Sequence, residues 1–226
     1  MIATPAQRPA LSFTAVAILL ALAFTVDRPI AMAIAQTDGT ALRTALHWVT
    51  MLGKSDGYLL AGGLGGVGLW LAARRATSGE RGHRLRRWAG YCGFLFAVVA
   101  LSGIAVNLLK PLFGRARPRL LFRDEIYGFD WFRLGSDFAS FPSGHTATAI
   151  SVGVALSLIW PGRQYLFLGI FGTIALSRIG VNAHYLSDVI GGTALAYATT
   201  MALAGYAVRR GLPLSGYSGA RPRCHG

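Results

Sequence analysis

Apolar runs alternate with short polar, glycine- or arginine-rich segments along this chain. Uncharged stretches occupy Ala10–Val26, Gly57–Ala73, Trp88–Leu109, Thr146–Trp160, Tyr165–Ser177 and Val189–Val208. A helix needs about 20 apolar residues to cross the hydrocarbon of a bilayer, with about 17 as the lower limit. Four of these stretches meet that length. The two shorter ones are separated only by Pro161-Gly162-Arg163-Gln164, which reads as a tight turn. Beside four long companions, the pair predicts an intramembrane hairpin rather than the core of a soluble domain. The expectation is an all-α integral membrane protein with six transmembrane helices in one bundle. Residues 1–226 form a single membrane domain, with spans at about 10–26, 57–73, 88–109, 146–160, 165–177 and 189–208, and outer loops at 27–56 and 110–142. Within the first loop, Thr37-Asp38-Gly39-Thr40 reads as a turn and Ala41–Leu52 as an interfacial helix. Gly62-x3-Gly66 offers a surface that another helix can approach closely.

Composition agrees: 53% of the 226 residues are hydrophobic and only 14% charged. The net charge of +13 would suit nucleic acid, but its distribution argues against that partner. With the N-terminus inside, twelve of the 22 basic residues and only one of the nine acids, Glu80, fall on inner segments. The inner cations are Arg8, the group Arg74, Arg75, Arg81, Arg84, Arg86 and Arg87, then Arg163, and finally Arg209, Arg210, Arg221 and Arg223. Orientation follows such a bias, so the basic surplus is a topology signal with some attraction to anionic lipid. Both termini are expected in the cytoplasm, and the outer loops on the opposite face. The arginine-over-lysine bias and compact span count suggest a bacterial inner membrane with those loops in the periplasm. Arg8, the following apolar run and Ala33-Ile34-Ala35 also resemble a signal peptide with its cleavage site. We expect an uncleaved first helix; either reading leaves the later orientation unchanged.

Cys92 and Cys224 allow at most one disulfide and are not expected to form it, and no Cys/His cluster suggests zinc. Three polar clusters carry the chemistry. Lys110-x6-Arg117-Pro118 follows the third span. Pro142-Ser143-Gly144-His145 opens the fourth. Ser177-Arg178-x5-His184-x3-Asp188 joins the fifth to the sixth. A transferring phosphoryl group carries charge on three oxygens and is served by positioned cations. Arginine supplies bidentate contacts and lysine a compact charge; only Lys54 and Lys110 are lysine here. Each cation alone reads as an interfacial snorkelling residue; their conjunction reads as an anion site. Ser143 is a good N-cap, Gly144 permits close backbone approach, and the first-turn amides of the fourth span form a natural anion site. His184 and Asp188 share a face if the sixth helix has begun by His184. The carboxylate would then fix the imidazole tautomer and leave the other nitrogen free to attack. A structural His–Asp cap is the alternative, set against the rule that ionisable groups at membrane depth are functional by default.

In order and without departure, these clusters resemble the three-part signature of the type 2 phosphatidic acid phosphatase (PAP2) superfamily, and the six-span layout extends the similarity to most of the chain. The resemblance implies hydrolysis of phosphate esters without a metal or other cofactor, through a phosphohistidine intermediate. Carried over residue by residue, it makes His184 the nucleophile and Asp188 its orienter, and His145 the donor to the leaving oxygen. Lys110, Arg117, Arg178, Ser143 and the Gly144 amide hold the phosphate. His47 is read as structural; His83 and His225 lie on the inner side.

The two short spans recess the site toward lipid-phosphate depth, so a lipid entering sideways is the expected substrate. Polyprenyl diphosphate, phosphatidylglycerol phosphate, phosphatidic acid and a lipid A phosphate are the candidates. Arg115, Arg119 and Arg123 are candidates for a second phosphate or an acidic headgroup, with pairing to Asp124 and Glu125 as the alternative. A lipid phosphotransferase using the same phosphohistidine is the second reading. A non-catalytic lipid-binding protein and a vanadate-dependent haloperoxidase rank below it.

Overall fold

The computed structural model describes residues 7–217, with side chains from Thr14 onward. Arg221, Arg223, Cys224 and His225 lie outside the described residues, as does the side chain of Arg8. The described chain is helical: α1 Gln7–Ala35, α2 Ala41–Met51, α3 Ser55–Arg74, α4 Gly79–Phe113, α5 Pro118–Asp124, α6 Gly144–Ile159, α7 Gln164–Gly180 and α8 Leu186–Arg209. Among the described residues, β-pairing is limited to one isolated bridge between Arg115 and Phe129.

Local chemistry sets the boundaries. Thr40 caps α2, its hydroxyl accepting from Arg43 N, and Ser78 caps α4 in the same way over Arg81 N. The latter cap starts α4 well before Trp88, so Arg81, Arg84, Arg86 and Arg87 ride on the helix rather than in a loop. At 1.5 Å per residue, its 35 residues reach about 52 Å, longer than a hydrocarbon core of about 30 Å. Gly114 ends it at φ +52, a left-handed conformation that suits glycine, with its amide on Lys110 O. Thr14–Ala35 and Gly79–Phe113 are each long and apolar enough to cross a membrane, and α6 is a shorter apolar helix. The remaining expected spans coincide with α3, α7 and α8.

Helix α6 is the axis of the packing. Eleven of its sixteen residues are buried, and α4, α7 and α8 pack around it. Val98 and Val99 of α4, Val152 and Ala155 of α6, Phe171 and Ile174 of α7 and Ala204 of α8 form one core. The turn Pro161–Arg163 closes α6 and α7 into the expected hairpin. Gly62 and Gly66 face Cys92 and Ala89 of α4, so α3 and α4 approach closely there. Leu60, Leu64, Ile104, Leu108, Leu166 and Leu176 point outward instead. An apolar exterior of this kind fits lipid as the surrounding solvent, in keeping with a membrane location.

Successive helices run back and forth, so the three polar clusters gather at one pole. Arginines expected on the inner side lie at the other, where His83, Arg86, Arg87 and Arg210 line a cavity of about 630 Å³.

Candidate active site

Each cluster sits where a helix begins or ends. Lys110 occupies the last turn of α4, and its ammonium lies beside Gly144 at the start of α6. Arg117 is the N-cap of α5, with Pro118 setting the first helical residue. Its Nε donates to Ser136 O at 2.9 Å and a terminal nitrogen to Ala139 O at 3.3 Å. Burial and the neighbouring charge of Arg119 lower its pKa, while Asp188 and Asp137 oppose the shift. Arg178, in the last turn of α7, is buried and donates to Thr50 Oγ1 at 2.6 Å, while its Nε has no protein partner. Thr50 belongs to α2, so this helix carries a residue of the site region that no motif marked.

Ser143 is fully buried at the N-cap of α6. Its hydroxyl accepts from Thr146 Oγ1 at 3.0 Å instead of capping a backbone amide. Its own N–H donates to Asp188 O at 3.0 Å, tying α6 to the start of α8. His145 is half-buried and lies within electrostatic range of Arg178, His184, Lys110 and Arg117.

His184 and Asp188 meet by a route that differs from the helix-face expectation. Helix α8 begins only at Leu186, so His184 precedes it. Asp188 folds back over the helix start: its Oδ2 accepts from Tyr185 N at 2.9 Å and faces His184 Nδ1 at 3.4 Å. Ser140 Oγ donates to the same oxygen at 2.5 Å, and Arg115 donates to Oδ1 at 2.6 Å. Nδ1 thus faces the carboxylate, and Nε2 is the nitrogen without a carboxylate neighbour. Burial of His184 pushes its pKa down to about 4 against the pull of Asp188, so the ring is neutral at physiological pH.

Each of the three arginines considered for a second phosphate has an acidic partner. Arg115 is fully buried between Asp27 and Asp188, because its guanidinium is the counter-ion of both carboxylates. Arg119 pairs with Asp137 and Ser136, and Arg123 with Asp124 and Asp137. Asp137, an acid that the spacing does not suggest, serves both Arg119 and Arg123. Asp27 was missed altogether. It ends an apolar run and therefore read as the first loop residue, yet α1 continues through it to Ala35. The available signal was an acidic side chain within an apolar helix whose other charges are Arg8 and Arg28.

A family model described as the PAP2 superfamily matches residues 91–211, more than half of the chain. The chain belongs to the PAP2 superfamily. Within it, the chain is 38% identical over 107 residues to a lipid A 1-phosphatase of Rhizobium etli, covering 47% of this chain and 45% of that protein. A lipid A 1-phosphatase of Rhizobium johnstonii is 39% identical over 107 residues, with 47% and 43% covered. A lipid A 4'-phosphatase of Porphyromonas gingivalis is 29% identical over 109 residues, with 45% and 44% covered. The chain thus spans less than half the length of these relatives. The crystal structure of a transmembrane PAP2-type phosphatidylglycerolphosphate phosphatase from Bacillus subtilis superposes with a TM-score of 0.63 at 21% identity. That superposition covers 90% of this chain and 97% of the other. The PAP2 fold is therefore shared over nearly the whole chain.

Proposed function

We propose that this protein removes phosphate from a membrane lipid, hydrolysing a phosphate monoester or diphosphate through a phosphohistidine on His184. One arrangement supports the reading most: a neutral His184 oriented by Asp188, at the pole where Lys110, Arg117 and Arg178 surround His145. Three cations suit the charge of a phosphoryl group, and a carboxylate behind the imidazole suits a nucleophile. His184 Nε2 attacks phosphorus as the bond to the leaving oxygen breaks, and His145 gives that oxygen its proton. Water then loses a proton to His145 and attacks the phosphohistidine. The P–N bond breaks, releasing inorganic phosphate and restoring both rings. Among three cations, His145 holds a proton best once an anion lies beside it, so substrate binding itself favours the acid form. No metal or cofactor enters this scheme.

The relatives named for lipid A make a lipid-linked sugar phosphate the preferred substrate. A cavity of about 350 Å³ beside His145, lined in part by Lys54, Ser55, Asp56 and Asn107, supports the same choice. A sugar leaving group would find hydrogen-bond partners there, whereas a polyprenyl chain has none to offer. The site would face the periplasm on a six-span bundle in the inner membrane, with the arginine-rich pole in the cytoplasm. Phosphate release from a panel of lipid phosphates in detergent tests the reading, with His184→Ala as control. Release from lipid A and loss of all release in the variant are expected. Equal cleavage of soluble sugar phosphates would refute lipid preference, and phosphorylated lipid with little free phosphate would assign a transferase instead.

A further inference from the structure

We infer that Asp27, on the first helix, is a positioning residue for the His184–Asp188 pair. The inference rests on the functional reading above and adds to it a residue outside the three signature clusters. Asp27 is fully buried. Its Oδ2 accepts from Arg115 at 2.7 Å and from the Ser187 hydroxyl, and its Oδ1 accepts from Ser187 N at 3.0 Å. Arg115 reaches onward to Asp188 Oδ1 at 2.6 Å. The chain of contacts therefore runs Asp27, Arg115, Asp188, His184, and a second branch holds the backbone at Ser187, one residue before Asp188.

Two carboxylates share one guanidinium, and this sharing is what the nucleophile needs. If Arg115 had Asp188 alone, it would close on that carboxylate with both terminal nitrogens, the geometry arginine prefers. Asp188 would then be drawn from His184, which it faces at only 3.4 Å. It would also be fully neutralised and a weaker acceptor for the imidazole N–H. Asp27 prevents both by taking one terminal nitrogen of Arg115. Aromatic rings hold the guanidinium in place: Phe24, Phe129 and Tyr185 lie 4.9, 5.2 and 4.5 Å from its carbon. Phe24 comes from α1 as well, so the first helix supplies both a counter-ion and a wall. Cleavage at Ala33-Ile34-Ala35 would remove both, and α1 is accordingly part of the working domain.

The test uses the full chain in detergent with lipid A as substrate. Asp27→Asn keeps size and hydrogen-bonding capacity but removes the charge. We expect kcat to fall at least about tenfold, the scale on which outer partners of functional histidines act, with KM within about threefold. Asp27→Glu should recover part of the loss. Arg115→Gln should lose activity too, and the double variant should lose no more than the worse single one, because the two act in series. Vanadate, as a phosphate mimic, should raise the unfolding temperatures of the unmodified chain and of Asp27→Asn alike, which would show an intact cation group. Unchanged kcat, multiplying losses in the double variant, or loss of the vanadate effect together with activity would overturn the inference. If the unmodified chain releases no phosphate from any lipid, the functional reading fails and ¹⁵N-histidine spectra decide this one. The His184 signal, identified by its absence in His184→Ala, should shift in Asp27→Asn; an unshifted signal would overturn the inference.

Discussion

Arg115 donates to Asp188 Oδ1 at 2.6 Å, and both side chains are buried from solvent. This contact links a residue outside the signature positions to the carboxylate that orients the candidate nucleophile. It also accounts for a feature of the sequence, an arginine two residues before Arg117 in a loop already rich in cations. Its charge is spent inside the fold, on Asp27 and Asp188.

Removing that charge should be costly. Arg115→Gln leaves two buried carboxylates without a counter-ion, and breaking a buried pair from one side typically costs about 3–5 kcal/mol. Thermal unfolding in detergent should show a clear loss of stability, whereas Arg119→Gln, which breaks a solvent-facing pair with Asp137, should change little. Similar unfolding temperatures for the two variants would contradict this assignment.

Thr50 offers a milder perturbation. Thr50→Val removes the hydroxyl that accepts from Arg178 and leaves the shape of α2 intact. Hydrogen bonds to charged groups contribute about 1.5–3 kcal/mol, so a freer Arg178 should raise KM about tenfold while kcat changes less. An unaltered KM would mean that Arg178 needs no help from α2.

Leaving-group chemistry separates the two histidines. An alkoxide leaves only with a proton, while a phosphate leaving group needs one less, and general acid catalysis typically contributes about 10²–10⁴-fold. His145→Ala should harm monoester cleavage more than diphosphate cleavage, and His184→Ala should abolish both. Equal losses on both substrates in His145→Ala would remove the case for its role as acid.

The protonation of His184 has a stability signature. Burial sets its folded pKa at about 4, below the ordinary value of 6.5. Between those values the unfolded chain takes up a proton that the folded chain refuses. Stability should therefore decline as pH falls from about 6.5 to about 4, by up to about 3 kcal/mol, and level off below. His184→Gln should show a shallower decline over the same window in thermal unfolding. Parallel curves for the two proteins would show that His184 is not held neutral by the fold.

Helix positions were legible because apolar length and turn residues act locally: the α6–α7 turn at Pro161 and the helix α2 both follow from a few adjacent side chains. The three clusters were legible because cations and histidines are conspicuous in so apolar a chain. What stayed hidden depends on contacts far apart in sequence. Asp27 and Arg115 are 88 residues apart, and Thr50 and Arg178 are 128 apart. The His184–Asp188 spacing suggested the pair but not its geometry, since the carboxylate folds back over a helix start instead of sharing a helix face. Arg119 and Arg123 left a ligand and an acid partner equally open, because the loop that brings Asp137 to them has no periodicity from which to read it.

The most direct measurement is capture of the covalent intermediate. Purified protein is mixed with excess lipid A, quenched in alkali within one turnover, digested and examined by mass spectrometry. The account predicts phosphate on the peptide that contains His184, at its ring nitrogen, and none in His184→Ala. Phosphate release by His184→Ala at the rate of the unmodified chain, or phosphate captured on another residue, would contradict it.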